Sequence, residues 1–152
     1  MDDSNKLEIF QAAVAQMSLY PFGIHGPIHW HRVYDNCLNL YYMETGEQAT
    51  DTYDWFFYNF AMMHDCCRVS DHADIEHPYA AAKLIPDGDP GTFNDMLKIA
   101  IQNHSTGSRS EEPLIAMCWD ADRLDLPRVN IVPDPKFMST KSGQKIAEDY
   151  KK

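Results

Sequence analysis

Seven histidines and a surplus of carboxylates make a metal site the first chemistry to consider in this sequence. Neutral imidazole and carboxylate are the usual protein ligands of zinc, iron, manganese, cobalt and nickel. Two such residues, His64 and Asp65, are adjacent in a segment that favours a helix, where adjacent side chains point about 100° apart. Both can reach one ion at the edge of that helix if other helices supply further ligands.

The surroundings of Asp65 bear on whether such a site exists. This carboxylate follows the apolar run Phe60-Ala61-Met62-Met63, and a charged group on a mostly apolar face is costly to bury unless it is paired or bound to a cation. The alternative is a solvated helix end without a metal. The spacing of His64 and Asp65 leaves both interpretations open.

The elements that must position these residues are helices. Apolar side chains recur at the 3.6-residue period of amphipathic helices, and capping residues, Pro and Gly mark the helix ends. The pattern predicts helices at about 6–19, 28–43, 51–68, 79–84, 93–104 and 111–124, and a polar, frayed helix near 141–150. Ser4 or Asn5 would cap the first helix, and the aromatic-rich helix at 51–68 is expected to be central and largely buried.

These patterns predict an all-α fold, a compact bundle of six or seven helices without strands. The 152 residues fit a single domain, with a core at about 6–126 and an irregular C-terminal segment at 127–152. A hydrophobic content of 44% supplies the core and argues against disorder. The four cysteines lack a CxxC spacing and are expected to be reduced thiols that pack in the interior.

Charge and hydropathy restrict the partners of the protein. No apolar stretch approaches the roughly 20 residues of a membrane-spanning helix, and the acidic N-terminus is unlike a secretory signal. We therefore expect a cytoplasmic protein without a membrane partner. A formal charge of −10 argues against binding to nucleic-acid polymers, because that binding depends on cationic groups. An anionic substrate would need a local cationic pocket.

Three segments resemble motifs of the HD superfamily of metal-dependent enzymes. His29-Trp30-His31-Arg32-Val33 is similar to the family's His-x-x-Arg-Val helix start, His64-Asp65 to the doublet that names the family, and Asp120-Ala121-Asp122-Arg123-Leu124 to its Ala-Asp-Arg-Leu segment. Order, spacing and helical context agree from residue 29 to residue 125. The resemblance implies an HD-type bundle with a metal site formed by His29, His64, Asp65 and Asp122.

The same resemblance suggests His77 and His104 as ligands of a second ion. Some HD proteins use two further histidines between the doublet and the last Asp for this purpose, whereas others hold a single ion. His77 precedes a run of small residues, which resembles the family's histidine followed by a small-residue helix face, and His104 ends a helical segment. The alternative is that either histidine donates a hydrogen bond to a ligand or binds substrate directly.

Arg68 and Asp71 are the candidates for catalysis beside Asp65. Arg68 lies three residues after Asp65 and would share its helix face, at a position where many HD proteins place a cation that meets substrate phosphate. The alternative is an ion pair with Asp71 or Asp74. HD hydrolases can place an acidic group that handles protons near Asp71, although the match there is not residue by residue.

The remaining polar residues of these segments are expected to have supporting roles. His25, in a Pro- and Gly-rich loop, and His31 are expected to line a pocket or to be structural. Asp120 and Asp125 should orient neighbouring side chains or cap backbone groups, and His72 should be exposed.

The chemistry of these residues and the commonest activity of the superfamily that the chain resembles together predict a metal-dependent phosphohydrolase. The cofactor would be one or two divalent transition-metal ions (Mn, Fe, Co, Ni or Zn, with Mg as an option) that activate a water. The substrate would be a small anionic phosphomonoester or phosphodiester, nucleotides included, and Arg68 would neutralise its developing charge. The alternatives are a di-iron HD-type oxygenase and a metal-binding module without catalysis. The oligomeric state is open, a homodimer included.

Overall fold

The seven predicted helices are all present, in the predicted succession along the chain. The computed structural model describes residues 2–152, and residue 1, which the predicted domain includes, lies outside them. The described residues form α1 (Asp3–Gln16), α2 (Pro27–Thr45), α3 (Asp51–Met63), α4 (His77–Ala82), α5 (Phe93–Asn103), α6 (Pro113–Arg123) and α7 (Lys141–Tyr150). Two 3₁₀ turns, Leu126–Val129 and Pro135–Phe137, separate α6 from α7. Residues 2–152 contain no strand, so the predicted all-α class is confirmed.

Helix α3 forms the centre of the bundle. Its residues 56–63 are all buried, as expected for a helix that is apolar around most of its circumference. It packs against α1, α2, α5 and α6, and the rings of Phe56 and Phe57 contact Phe93 on α5 and Tyr41 on α2. Throughout residues 2–152, no helix combines the length and the apolar character that a membrane crossing requires.

The prediction that this helix continues to Arg68 is wrong, since α3 ends at Met63. The cause is the His64 side chain, whose Nδ1–H donates to the carbonyl oxygen of Ala61 at 2.9 Å. In a continued helix that oxygen would accept from the N–H of Asp65. The chain instead tightens, and the N–H of Arg68 donates to the carbonyl oxygen of Asp65. The doublet therefore stands at the end of the central helix and not along its side.

The limits of α1 and α4 also differ from the predicted ones. Helix α1 starts at Asp3 because the carboxylate of Asp2, and neither Ser4 nor Asn5, caps it by accepting from the N–H of Asn5 at 2.9 Å. It ends at Gln16, before the predicted limit at residue 19. Helix α4 begins at His77 and ends at Ala82, two residues earlier at each end than predicted.

Helix α7 has the predicted limits but is docked and not frayed. Its residues Gly143 and Ala147 are buried, and Asp120 on α6 holds its start. The Asp120 carboxylate accepts from the N–H of Ser139 at 2.7 Å, the N–H of Thr140 at 2.8 Å and the Thr140 hydroxyl at 2.7 Å. The predicted capping role of Asp120 is confirmed, and through it the C-terminal segment is fixed to the bundle.

Gly143 lies so close to Asp120 that an added methyl group should destabilise the protein. A Cβ there would lie 2.9 Å from Asp120 Cγ and closer still to Oδ2, so the carboxylate would have to leave Ser139 and Thr140. Alanine for glycine in a helix normally stabilises by about 1 kcal/mol, whereas hydrogen bonds to a charged group contribute about 1.5–3 kcal/mol each. We therefore expect Gly143→Ala to lower the midpoint of thermal unfolding by several degrees.

The control for this variant is Glu148→Ala, at an exposed position of the same helix. Surface substitutions usually change stability little, so the midpoint of Glu148→Ala should stay close to that of the unmodified protein. A raised midpoint for Gly143→Ala, measured by circular dichroism, would contradict the assigned contact with Asp120.

The cysteines are free thiols, and Cys37, Cys66 and Cys118 are buried. Burial raises the pKa of the Cys66 and Cys118 thiols, which keeps both protonated and poorly nucleophilic at neutral pH. The prediction that they serve in packing agrees with this environment.

Candidate metal centre

Four buried histidines meet where several helices begin or end. His29 lies in the first turn of α2, His64 follows the last residue of α3, His77 is the first residue of α4, and His104 follows the last residue of α5. Each has a relative exposure of 4% or less. Because the bundle gathers these helix ends at one place, residues distant in the sequence share one interior site.

Hydrogen bonds at Nδ1 fix the orientation of all four rings. Three of the histidines donate Nδ1–H to the carbonyl oxygen of the residue three positions earlier: His64 to Ala61 at 2.9 Å, His77 to Asp74 at 2.6 Å and His104 to Ile101 at 2.6 Å. His29 donates Nδ1–H to Asp125 Oδ2 at 2.6 Å. A carbonyl oxygen can only accept a hydrogen bond, so Nδ1 carries a hydrogen in the rings of His64, His77 and His104. Whenever such a ring is neutral, its Nε2 presents a lone pair.

The four Nε2 atoms form two facing pairs. The distance from His29 Nε2 to His64 Nε2 is 3.1 Å, and the distance from His77 Nε2 to His104 Nε2 is also 3.1 Å. Two lone pairs this close repel unless a cation or a proton lies between them. Two nitrogen ligands at about 2.1 Å from one ion, about 95° apart, would be about 3.1 Å from each other. Each pair therefore fits two positions of a metal coordination shell.

The carboxylate of Asp65 lies between the two pairs and faces each with a different oxygen. Its Oδ2 is 3.5 Å from the Nε2 atoms of both His29 and His64. Its Oδ1 is 3.1 Å from His77 Nε2 and 3.4 Å from His104 Nε2. Two buried groups thus share Asp65, and each could hold a metal ion. We call His29, His64, Asp65 and Asp122 the first cluster, and Asp65, His77 and His104 the second cluster.

Asp122, near the end of α6, joins the first cluster. Its Oδ1 lies 3.2 Å from His29 Nε2 and 3.5 Å from His64 Nε2. The four residues that the HD resemblance singles out therefore converge at one point. Burial raises the pKa of Asp65 and Asp122, but the His64 imidazole and its neighbours outweigh burial and hold both pKa values well below their usual range. Both carboxylates are charged donors suited to a cation.

His29 has the most acidic surroundings of the four histidines. Burial lowers its pKa, but hydrogen bonds with Asp122, Asp125 and Asp65 more than offset that effect and raise the pKa to about 10. In the absence of a metal, a proton on His29 therefore relieves the contact between the two Nε2 atoms of the first cluster. A metal that binds there must displace this proton.

Asp125 orients His29 from behind the first cluster. One oxygen accepts from His29 Nδ1–H, and the other accepts from Arg32 Nε–H at 2.7 Å. The predicted orienting role of Asp125 is confirmed. A carboxylate that receives the second N–H of a ligating histidine fixes the ring and strengthens it as a ligand.

Removing the Asp125 carboxylate should weaken metal binding at the first cluster alone. We expect Asp125→Ala to lower the affinity of that cluster by about 10–100-fold, the usual effect of losing such a supporting group. Competition with a coloured chelator measures the affinity. Asp125→Asn keeps an acceptor oxygen and should have a smaller effect. Equal metal affinity in Asp125→Ala and the unmodified protein would contradict this role.

Arg68 borders the second cluster. Its Nε–H donates to Asp65 Oδ1 at 3.1 Å, and its Nη1–H donates to the carbonyl oxygens of Ser70 and His72. The alternative ion pairs with Asp71 or Asp74 are wrong, because the turn after α3 directs the guanidinium to Asp65 instead. The Asp74 carboxylate accepts backbone N–H groups, among them that of His77 at 3.2 Å.

His25 lies closer to the two clusters than the sequence indicated. Its Nδ1 is 3.1 Å from Asp65 Oδ2, and its Nε2–H donates to the carbonyl oxygen of Asp71 at 3.3 Å. Trp30 Nε1–H donates to the His25 carbonyl oxygen at 2.8 Å and fixes the Pro- and Gly-rich loop. The density of Pro and Gly around His25 was the only sequence signal for this placement. The catalytic role of Asp71, whose side chain is exposed, stays a prediction.

The remaining two histidines belong to neither cluster. His31 is exposed and donates Nδ1–H to the carbonyl oxygen of Pro27 at 2.9 Å. His72 is exposed, as predicted. The expected structural role of His31 agrees with this position on the outer face of α2.

A cavity of about 480 Å³ opens onto both clusters. Asp65, His104 and Asp122 reach it, Arg68 and Asp71 border it, and the irregular segment after α6 forms its opposite wall. No sequence pattern indicated this wall, because residues 126–138 have no periodic pattern. Comparison with known proteins found no matching family model, curated protein or solved structure.

Proposed function

We propose that the protein is an HD-type, metal-dependent phosphohydrolase that acts on a small phosphate ester. The observation that carries the proposal is the pair of imidazole clusters that share Asp65 and open onto a cavity bordered by Arg68. His29, His64, Asp65 and Asp122 would hold one divalent ion, and Asp65, His77 and His104 would hold a second. Mixed imidazole and carboxylate ligands favour Mn, Fe, Co, Ni or Zn, whereas Mg prefers oxygen ligands.

A divalent ion bound there would lower the pKa of a coordinated water and polarise a phosphoryl oxygen. The chain supplies the remaining functions. Arg68 presents a guanidinium whose Nε is fixed by Asp65, and such a fixed cation binds and neutralises phosphate oxygens. The low exposure of His64 and Asp65 places these side chains in the protein interior, where electrostatic interactions are stronger than in water. Asp71, at the border of the cavity, is the candidate that takes up a proton.

A second candidate function is a di-iron oxygenase of the HD type. Its support is the same shared carboxylate, because the two clusters that share Asp65 would hold iron as well as other metals. Oxygen consumption that depends on an added organic substrate would favour this activity. Iron content alone would not distinguish the two, since a hydrolase can also bind iron.

The test of the proposal combines metal analysis with a hydrolysis assay. Protein purified without a His tag is analysed for metal content, loaded with Mn, Co, Ni or Mg, and assayed on 4-nitrophenyl phosphate and bis(4-nitrophenyl) phosphate. About two ions per chain with metal-dependent release of nitrophenol would support the proposal. Tight metal without turnover would favour the non-catalytic module, and no metal under any loading condition would overturn the metal centre.

Arg68 is expected to act on the substrate and not on the metal. We expect Arg68→Ala to retain its metal and to lower kcat/KM for the phosphate ester by about 10²–10³-fold, the usual loss for one donor to a developing charge. Steady-state kinetics and elemental analysis on the same sample separate the two effects. Arg109→Ala, which removes an exposed arginine, is the control. Unchanged kinetics in Arg68→Ala would remove this residue from the site.

A further inference from the structure

One side of the cavity is formed by apolar side chains. Ile24 lies in the loop before α2, Leu126 and Val129 lie in the first 3₁₀ turn after α6, and Phe137 ends the second. We call these four residues the apolar wall. Ile24 and Phe137 each have a relative exposure of 41%. Apolar surface exposed in a concave site is typical of a contact with a ligand.

The arginines beside the apolar wall are bound to backbone oxygens. Arg128 donates from Nε to the Ile24 carbonyl oxygen at 2.8 Å and from Nη1 to the Asp125 carbonyl oxygen at 3.0 Å. Arg123 donates from Nη1 to the Phe137 carbonyl oxygen at 2.6 Å. Its Nη2 has no partner but is buried, so a ligand in the cavity does not reach it. The two guanidinium groups therefore fix the backbone of the wall.

Asp134 borders the cavity on the same side. Its Oδ1 accepts from the N–H of Lys136 at 3.0 Å and lies 3.5 Å from Lys151 Nζ, and its Oδ2 lies 3.7 Å from Lys136 Nζ. A second anionic group on a ligand would meet this carboxylate and be repelled. A neutral apolar group would not be repelled, and it would find apolar partners in the wall.

The two clusters supply the charged part of the cavity border. Asp65, His104 and Asp122 reach the cavity from the clusters, and Arg68 lies beside them with its Nε–H bound to Asp65. A volume of about 480 Å³ is in the range of sites that bind small molecules. One small ligand can therefore place a charged end at the clusters and an apolar end against the wall.

Building on the proposed function, we propose that the substrate is the phosphate ester of an apolar alcohol or a phenol, whose alkyl or aryl group lies against the apolar wall. In the reaction, water forms a bond to phosphorus and the bond from phosphorus to the ester oxygen breaks. One proton of the water passes to the released alcohol, and the other stays on the phosphate. A sugar or a nucleoside suits this wall less well, because polar groups that are buried without hydrogen-bond partners oppose binding.

The proposal can be tested with phosphonates, which resemble phosphate esters but are not hydrolysed. Manganese-loaded protein is titrated by calorimetry with alkylphosphonates, from methyl to hexyl, and with hydroxyl-ended alkylphosphonates of the same lengths. Affinity should rise by about fourfold for each methylene that the wall buries. At those lengths the hydroxyl should weaken binding by about fivefold or more. Affinities that do not depend on length, or that are equal in the two series at every length, would overturn the proposal.

Variants of the wall show where the alkyl group binds. Phe137→Ala keeps the backbone oxygen that binds Arg123, and it should weaken hexylphosphonate binding by about fivefold through lost apolar contact. Metal content and methylphosphonate affinity should stay unchanged. The control is Phe22→Ala, at an exposed phenylalanine that does not border the cavity, which should bind hexylphosphonate like the unmodified protein.

A second variant changes the polarity of the wall with little change in its shape. Val129→Thr replaces a methyl group by a hydroxyl and should also weaken hexylphosphonate binding while leaving methylphosphonate binding unchanged. Val132→Thr, at an exposed valine of the same segment that does not border the cavity, is its control. Unchanged hexylphosphonate binding in both Phe137→Ala and Val129→Thr would overturn the assignment of the wall.

The outcomes also distinguish this inference from the proposed function. Phosphonate binding without any effect of chain length would contradict the role of the apolar wall and leave the hydrolase intact. Metal-loaded protein that binds no phosphonate of either series would contradict the proposed function and the substrate class with it.

Discussion

Asp65→Ala should remove the metal from both clusters, whereas Asp122→Ala and His104→Ala should each remove it from one. Asp65 faces both pairs of imidazoles, because its Oδ2 lies beside His29 and His64 and its Oδ1 beside His77 and His104. Elemental analysis after dialysis should give no bound metal for Asp65→Ala and about one ion per chain for each of the other variants. Hydrolysis by Asp65→Ala should fall to background.

The control for these ligand variants is His72→Ala. His72 lies close to Asp65 in the sequence, but its side chain is exposed and belongs to neither cluster. Its metal content and activity should match those of the unmodified protein. Two retained ions in Asp65→Ala would contradict the shared carboxylate. Loss of both ions in His104→Ala would mean that the two clusters do not bind metal independently.

Much of the bundle could be predicted from local signals. The aromatic run of α3 and the Pro residues in the first turns of α2, α4 and α6 are properties of adjacent residues. The end of α3 was not predictable in the same way, because a side chain there competes with the backbone. His64 Nδ1–H occupies the Ala61 carbonyl oxygen that the helix needs in order to continue. The periodicity of apolar residues does not report such competition.

The candidate site required information that no local pattern contains. His64 and Asp65 stood out by their types, but His29 and Asp122 were singled out only by the family resemblance. The contact between His29 and Asp125 joins residues 96 positions apart. The unpartnered nitrogen of Arg123 depends on how residues 126–138 fold over α6. Each of these features arises from packing between helix ends, which sequence periodicity cannot supply.

Removing the metal with a chelator should lower the midpoint of thermal unfolding by about 10 °C. The candidate ligands lie on α2, α4 and α6, in the residue pair that follows α3, and at the end of α5. Bound metal would therefore connect most of the bundle. A ligand at 1,000 times its dissociation constant stabilises the folded state by about 4 kcal/mol, and 1 kcal/mol shifts the midpoint by about 2–4 °C for a chain of this size. Scanning calorimetry with and without EDTA measures the shift.

The same experiment on Asp65→Ala shows whether the shift arises from the two clusters. With the shared carboxylate gone, EDTA should leave the midpoint of that variant unchanged, because no ion remains to be removed. A chelator-dependent shift that persists in Asp65→Ala would locate the metal elsewhere. EDTA could instead remove bound metal from the unmodified protein without changing its midpoint of thermal unfolding. That result would mean that the ion does not stabilise the fold. The four imidazoles would then be held in place by their Nδ1 hydrogen bonds alone.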